Sequence, residues 1–146
     1  MNDIQQTYGD LPEKTFERGD ILIEEGAVDC NLLILQTGEV EIIKCGVRIT
    51  VVSTPGAFFG EVSMLLGEPA MATVRAVNST TVRVFSQSAN FLAEHPAAGV
   101  EIARLLAKRL GGVTNYLVDL RQQFSDQKNH LAVVDEILGN LLNSSG

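Results

Sequence analysis

Residues 16–56, FERGDILIEEGAVDCNLLILQTGEVEIIKCGVRITVVSTPG, decide the fold. Short runs of β-branched and aliphatic residues alternate with Gly19, Gly26, Gly38, Gly46 and Gly56, never more than twelve positions apart. Stubby strands broken by regularly spaced glycine turns predict a barrel or roll rather than an open sheet. Gly38-Glu39, lying between two apolar runs, reads as a hairpin turn. Two further strands are predicted at Ala72–Val77 and Thr80–Phe85.

Working outward, the stretch GEVSMLLGEP (60–69) interrupts the strands. Its middle has the length of about one and a half helical turns, closed by Gly67 and Pro69. A short helix inside an all-β run leaves unpaired N–H groups at its start, where an anion is favoured. From Ser88 the period changes. Ser88 is placed to cap ANFLAEH, and Pro96 opens a new helix at its preferred first position.

Beyond Pro96 the pattern is heptad. Ala103, Leu110, Leu117, Phe124, Leu131 and Leu138 form one seam, and Leu106, Val113, Leu120, Gln127, Val134 and Leu141 a second, offset by three. Gln127 is the one polar member, read equally as a register-fixing residue or as a tolerated flaw. Such a stripe predicts a left-handed coiled coil between two copies. A helix of some thirty residues, about 45 Å long at 1.5 Å per residue, would overhang so small a domain. Gly111-Gly112 inside it reads as a kink or junction. The other reading packs the seam within one chain, on the roll. In a parallel dimer His130 and Asp135 would face each other.

Composition bounds the function. The 146 residues, 45% hydrophobic and 20% charged, suit one globular domain. The opening MNDIQQTYGDLPEK carries no apolar signal-peptide core, and no run approaches a membrane span, so the expected location is the cytoplasm. The net charge is −7. Residues 1–98 hold 6 Lys/Arg against 13 Asp/Glu, while the remainder is balanced, and no basic stripe exists to displace counterions from nucleic acid. Cys30 and Cys45 lack metal-ligand spacing and read as small core residues. His95 and His130, both in predicted helices, form no metal set. The expectation is no metal, no cofactor and no direct nucleic-acid contact.

Three blocks carry a resemblance. FERGDILIEEG (16–26), LILQTGEVEIIK (33–44) and PGAFFGEVSMLLGEPAMATVRA (55–76), followed by ARLLAKRL (103–110), are similar to the cyclic-nucleotide-binding domain of the catabolite-activator (Crp/Fnr) family. The resemblance covers about residues 14–120. It implies an α+β fold: an antiparallel β-roll of the double-stranded β-helix or jelly-roll type, a short cassette helix, and a long C-terminal coiled-coil dimerisation helix. The implied division is a roll over 1–96, helices over 97–142 and a disordered tail over 143–146. It also implies a cassette that traps a cyclic phosphate. Gly60 and Glu61 match the phosphate-binding backbone and the ribose-binding glutamate, Thr73 matches the hydroxyl of the Ala-Thr-Val strand, and Val62 and Met71 fall within the cassette. Thr114 or Asn115 on the dimer helix would touch the base.

The family's phosphate-neutralising arginine follows the proline, and that position is Ala70 here. Losing one partner of a buried charge pair costs about 2–5 kcal/mol, roughly 30- to several-thousand-fold in affinity. Arg75, two residues along the strand from Thr73, shares its face and is the candidate substitute. No helix-turn-helix follows the heptads, so the DNA-binding part of the family is not expected.

Each site residue also has a purely structural reading. Glu61 suits a helix start, Thr73 is ordinary in a strand, Gly60 allows close backbone approach to a ligand or to another strand, and Thr114 and Asn115 border a solvated face. Two functions follow: a non-enzymatic homodimeric sensor of cyclic AMP, cyclic GMP or another small ligand, or a ligand-free dimerisation module docking a protein. A cupin-type metalloenzyme is a third, and it lacks strand histidines.

Overall fold

A computed structural model of the chain describes residues 8–29, 31–86, 91–124 and 128–143. Two compact units divide it, one reaching Glu94 and the other beginning at His95.

Among the described residues, the first unit contains eight strands: β1 (Glu13–Phe16), β2 (Ile21–Ile23), β3 (Leu32–Thr37), β4 (Val40–Lys44), β5 (Val47–Val52), β6 (Phe58–Phe59), β7 (Thr73–Ala76) and β8 (Thr80–Phe85). They form two antiparallel sheets, ordered β1-β8-β3-β6 and β2-β7-β4-β5. Helix α1 (Glu61–Leu66) sits between β6 and β7, and α2 (Phe91–Glu94) follows β8. The core lies between the sheets. Phe16, Leu33, Leu35, Phe59 and Val82 from one meet Ile23, Val40, Val74 and Ala76 from the other. Leu32 and Ile34, on the opposite face of β3, are also fully buried, which is why that strand is a continuous apolar run instead of an alternating one. Phe58 is buried as well, edge-on to Tyr8 at 6.3 Å between ring centres.

Gly38-Glu39 is not a hairpin turn. The strands on either side of it belong to different sheets, so here the chain crosses from one layer to the other. The return crossing, Val77–Ser79, runs beside it and the two are tied together. Asn78 Oδ1 accepts the Glu39 N–H at 2.9 Å, and the Glu39 carbonyl accepts from Val77 N–H at 2.9 Å and from the buried Thr80 hydroxyl at 3.0 Å. A Cβ on Gly38 would strike the Ser79 carbonyl and Thr80, so the close approach of the crossings explains the glycine. The actual hairpin joins β4 and β5 through Cys45-Gly46, both at positive φ. Cys45 is therefore an exposed turn residue and not the core residue expected; Cys30 lies outside the described residues.

The second unit holds α3 (Pro96–Gln123) and α4 (Lys128–Asn143). Pro96 occupies the first turn, as its fixed φ and missing N–H favour. The helix runs through Gly111-Gly112 without a break, and the chain instead leaves it after Gln123. The heptad stripe is thus shared between two helices, which pack on each other and are joined by an Arg121–Asp135 ion pair at 2.6 Å. This departs from a single helix carrying all the heptads. Stripe residues flanking the break are withdrawn from water: Leu117 is buried, and Leu120, Phe124, Val134, Leu138 and Leu141 are half-buried. Toward the start of α3, Leu106 is half-buried while Ala103, Leu110 and Val113 stay exposed. Asp135 takes its partner within the chain. Ser88, Gln127 and the tail 144–146 lie outside the described residues, as do the side chains of Leu131 and His130.

Candidate functional site

Strand β6 delivers the chain into Gly60, whose φ of 88° turns it directly into α1. A Cβ here would overlap the Asn31 carbonyl oxygen. The close approach that Gly60 permits is thus to the protein's own backbone. The next residue, Glu61, is only 6% exposed at the first position of α1. Val62 beside it is half-buried. The helix closes at Gly67, whose N–H bonds to the Ser63 carbonyl at 2.8 Å, while the Ser63 hydroxyl donates to the Glu68 carbonyl at 2.6 Å. The turn after α1 is thereby pinned to the helix.

The returning segment, Ala70 to Thr73, is clamped against the turn after β2. Ala70 N–H donates to the Ala27 carbonyl and Gly26 N–H to the Ala70 carbonyl, each at 2.8 Å. Thr73 Oγ1 accepts the Glu25 N–H at 3.0 Å. The Ala70 side chain packs against the core cluster, whereas Met71 is 60% exposed. Gly60, Glu61, Val62, Ala70, Met71 and Thr73 all belong to this one loop-helix-strand element. Thr114 and Asn115 fall on α3, in the other unit; the Thr114 hydroxyl donates to the Leu110 carbonyl at 2.8 Å, and Asn115 is exposed.

Arg75 shares a strand face with Thr73 and is engaged elsewhere. Its Nε bonds to Glu41 Oε2 at 2.8 Å across β7 and β4, and Arg48 lies 3.7 Å from the same carboxylate. Sequence reasoning overlooked Glu25 and Lys44. Lys44 Nζ donates to the Met71 carbonyl at 2.6 Å and lies 3.7 Å from Glu25, whose other oxygen accepts the Cys45 N–H at 3.0 Å. The carboxylate thus braces the β4–β5 hairpin against the returning segment. Nothing in LIEEGA singles out Glu25 from Glu24; only the three-dimensional closure does. Among the described residues no group of three or more His, Cys, Asp or Glu side chains is placed to hold a metal ion, and no helix is long and apolar enough to cross a membrane.

The profile of the cyclic nucleotide-binding domain matches residues 13–93. The chain belongs to the cyclic nucleotide-binding domain family. The match takes in all eight strands, α1 and the site just described. Within this family, a stretch of 78 residues is 33% identical to the cAMP-dependent protein kinase regulatory subunit of Eremothecium gossypii, covering 53% of this chain and 17% of that protein. The chain therefore matches less than a fifth of the length of that relative. Among solved structures, the catabolite activator protein of Thermus thermophilus shares the fold with a TM-score of 0.67 at 22% identity, over 82% of this chain and 59% of that one. A regulatory subunit of a cAMP-independent protein kinase A from Trypanosoma cruzi, bound to guanosine, aligns with a TM-score of 0.51 at 30% identity, over 58% of this chain and 30% of that one. The residues matched by the family profile are thus the roll with its inserted helix, and the second unit begins just past them.

Proposed function

We propose that this chain is a non-enzymatic sensor module, whose roll binds a cyclic nucleotide or a related small ligand and whose helical unit passes the change to a second copy of itself. The observation that carries this reading is the buried Glu61 at the start of α1, inside a loop-helix-strand element of a cyclic nucleotide-binding domain. A carboxylate withdrawn from water is well suited to accept hydrogen bonds from sugar hydroxyls. The relatives support a nucleoside-bearing ligand: one is named for its dependence on cAMP, and another is bound to guanosine.

Ala70 sets the affinity. With no arginine there, binding of cyclic AMP or cyclic GMP is weakened by the roughly 30- to several-thousand-fold that loss of a buried charge partner entails. Arg75 does not make good the loss, because its guanidinium is bonded to Glu41. Exposed Leu110 and Val113 on α3 are the candidate homodimer contacts, and the module acts in the cytoplasm on an unidentified downstream protein.

Thermal melting of the full chain tests the ligand. A ligand at its dissociation constant stabilises by about 0.4 kcal/mol and at ten times that by about 1.4 kcal/mol, so a graded series of cyclic GMP or cyclic AMP up to about 10 mM raises the melting temperature by roughly one to several degrees. An unchanged melt with either leaves the second reading, a docking module with no ligand. Sedimentation tests the homodimer separately.

A further inference from the structure

We propose that the free edge of β5 is a docking strand, which takes an extended peptide of acidic and β-branched residues as a further strand of its sheet. Strand β5 ends the order β2-β7-β4-β5 and pairs with β4. Among the described residues, its side away from β4 has no backbone partner. The other strands at sheet edges are shorter, with 4 residues in β1, 3 in β2 and 2 in β6 against 6 in β5. Val47 to Thr50 are all exposed, Val47 to 62% and Ile49 to 61%. An apolar edge of this kind presents a row of N–H and C=O groups ready to template another strand.

Charge decides the occupant. Residues 42–60 carry Lys44 and Arg48 and no Asp or Glu, within a chain that is acidic as a whole. On the face of the sheet away from the core, Glu41 lies between Val51 and Arg75, and Ile43 lies beside Arg48. Two guanidiniums share the one carboxylate, Arg75 at 2.8 Å and Arg48 at 3.7 Å from Glu41. One positive charge is left over, on side chains well exposed to water, next to the free edge. An incoming strand puts alternate side chains on this face, so an acidic residue there meets Arg48 while β-branched residues line the other face. Main-chain bonds supply the affinity and these side chains the selectivity. A second copy fits less well. It would bring a second Arg48 to the same short edge, and a second bulge, because Arg48 pairs with Ile43 and Thr50 with Ile42, leaving Ile49 as the extra residue.

NMR titration of the labelled full chain tests this at about 0.15 M salt, with the blocked peptide Thr-Val-Glu-Val-Glu-Val-Thr and its counterpart carrying lysine for both glutamates. At that ionic strength the Debye length is about 8 Å, so charges beside the edge outweigh the net charge of the chain. Saturable shifts are expected at Gly46 to Val52 with the acidic peptide, and binding of the lysine peptide weaker by about threefold to tenfold. Arg48→Gln, checked for an intact melt, brings the two peptides within about twofold of each other. No shift at these residues with millimolar acidic peptide, or a lysine peptide that binds as well, overturns the proposal. So does a preference that survives Arg48→Gln. Shifts at Gly46 to Val52 that grow with protein concentration alone assign the edge to a second copy and overturn it too. Should Arg48→Gln fail to fold, the wild-type comparison decides alone. Every one of these results leaves the ligand reading as it stands.

Discussion

Replacing Gly60 with alanine tests whether the entry to α1 is as tightly built as its geometry requires. Two effects add. A non-glycine residue at φ 88° costs about 1–2 kcal/mol. The new Cβ also overlaps the Asn31 carbonyl oxygen, a backbone atom directly before β3, and overpacking of this kind costs about 1–3 kcal/mol. The sum, about 2–5 kcal/mol, is a large fraction of the 5–15 kcal/mol that holds a typical domain together. Gly19→Ala is the internal control. Its φ is 89°, nearly the same, yet nothing lies within 4 Å of the added Cβ. Urea unfolding of both variants therefore separates backbone strain from collision, and Gly60→Ala is expected to be the less stable by about 1–3 kcal/mol. Equal midpoints with equal slopes would refute the reasoning, because they would mean the Asn31 carbonyl does not close over that position.

Thr80→Val keeps the side-chain shape but removes the hydroxyl bonded to the Glu39 and Asn78 carbonyls at the paired sheet crossings; with Thr80 fully buried, a loss of about 1–3 kcal/mol is expected in the same unfolding assay. Cys45→Asn relieves a φ of 51° that asparagine tolerates better in a hairpin turn, and the unfolding free energy from urea titration should rise by about 1 kcal/mol. Arg75→Ala leaves calorimetric affinity for cyclic AMP or cyclic GMP within about twofold, since its guanidinium is bonded to Glu41; a tenfold loss would make it the missing cation after all.

Strands and turns were legible where local chemistry is decisive. The strand from Thr80 to Phe85 follows from its β-branched run, and α1 follows from its closing glycine and proline. Gly38-Glu39 misled because a sheet-to-sheet crossing and a hairpin turn call for the same residues; only the pairing of β3 with β8 and β6 tells them apart. The heptad stripe hid a break between two helices and leaves pairing with a second copy untested. Its period continues across Gln123, but the same spacing serves two helices packed on each other as well as two chains wound together. At the site, Gly60, Glu61 and Ala70 stand out by resemblance. Glu25 and Lys44 do not, since each reaches the site from a distant part of the chain and carries no local signature.

The most direct test of the central claim is a titration of the isotopically labelled chain with guanosine and, separately, with cyclic GMP, following every backbone amide by NMR. Progressive, saturable shifts are expected for Gly60 to Ser63 and for Ala70 to Thr73 with at least one of the two ligands. A spectrum that both ligands leave untouched at millimolar concentration, or that moves only outside these two stretches, would contradict the account.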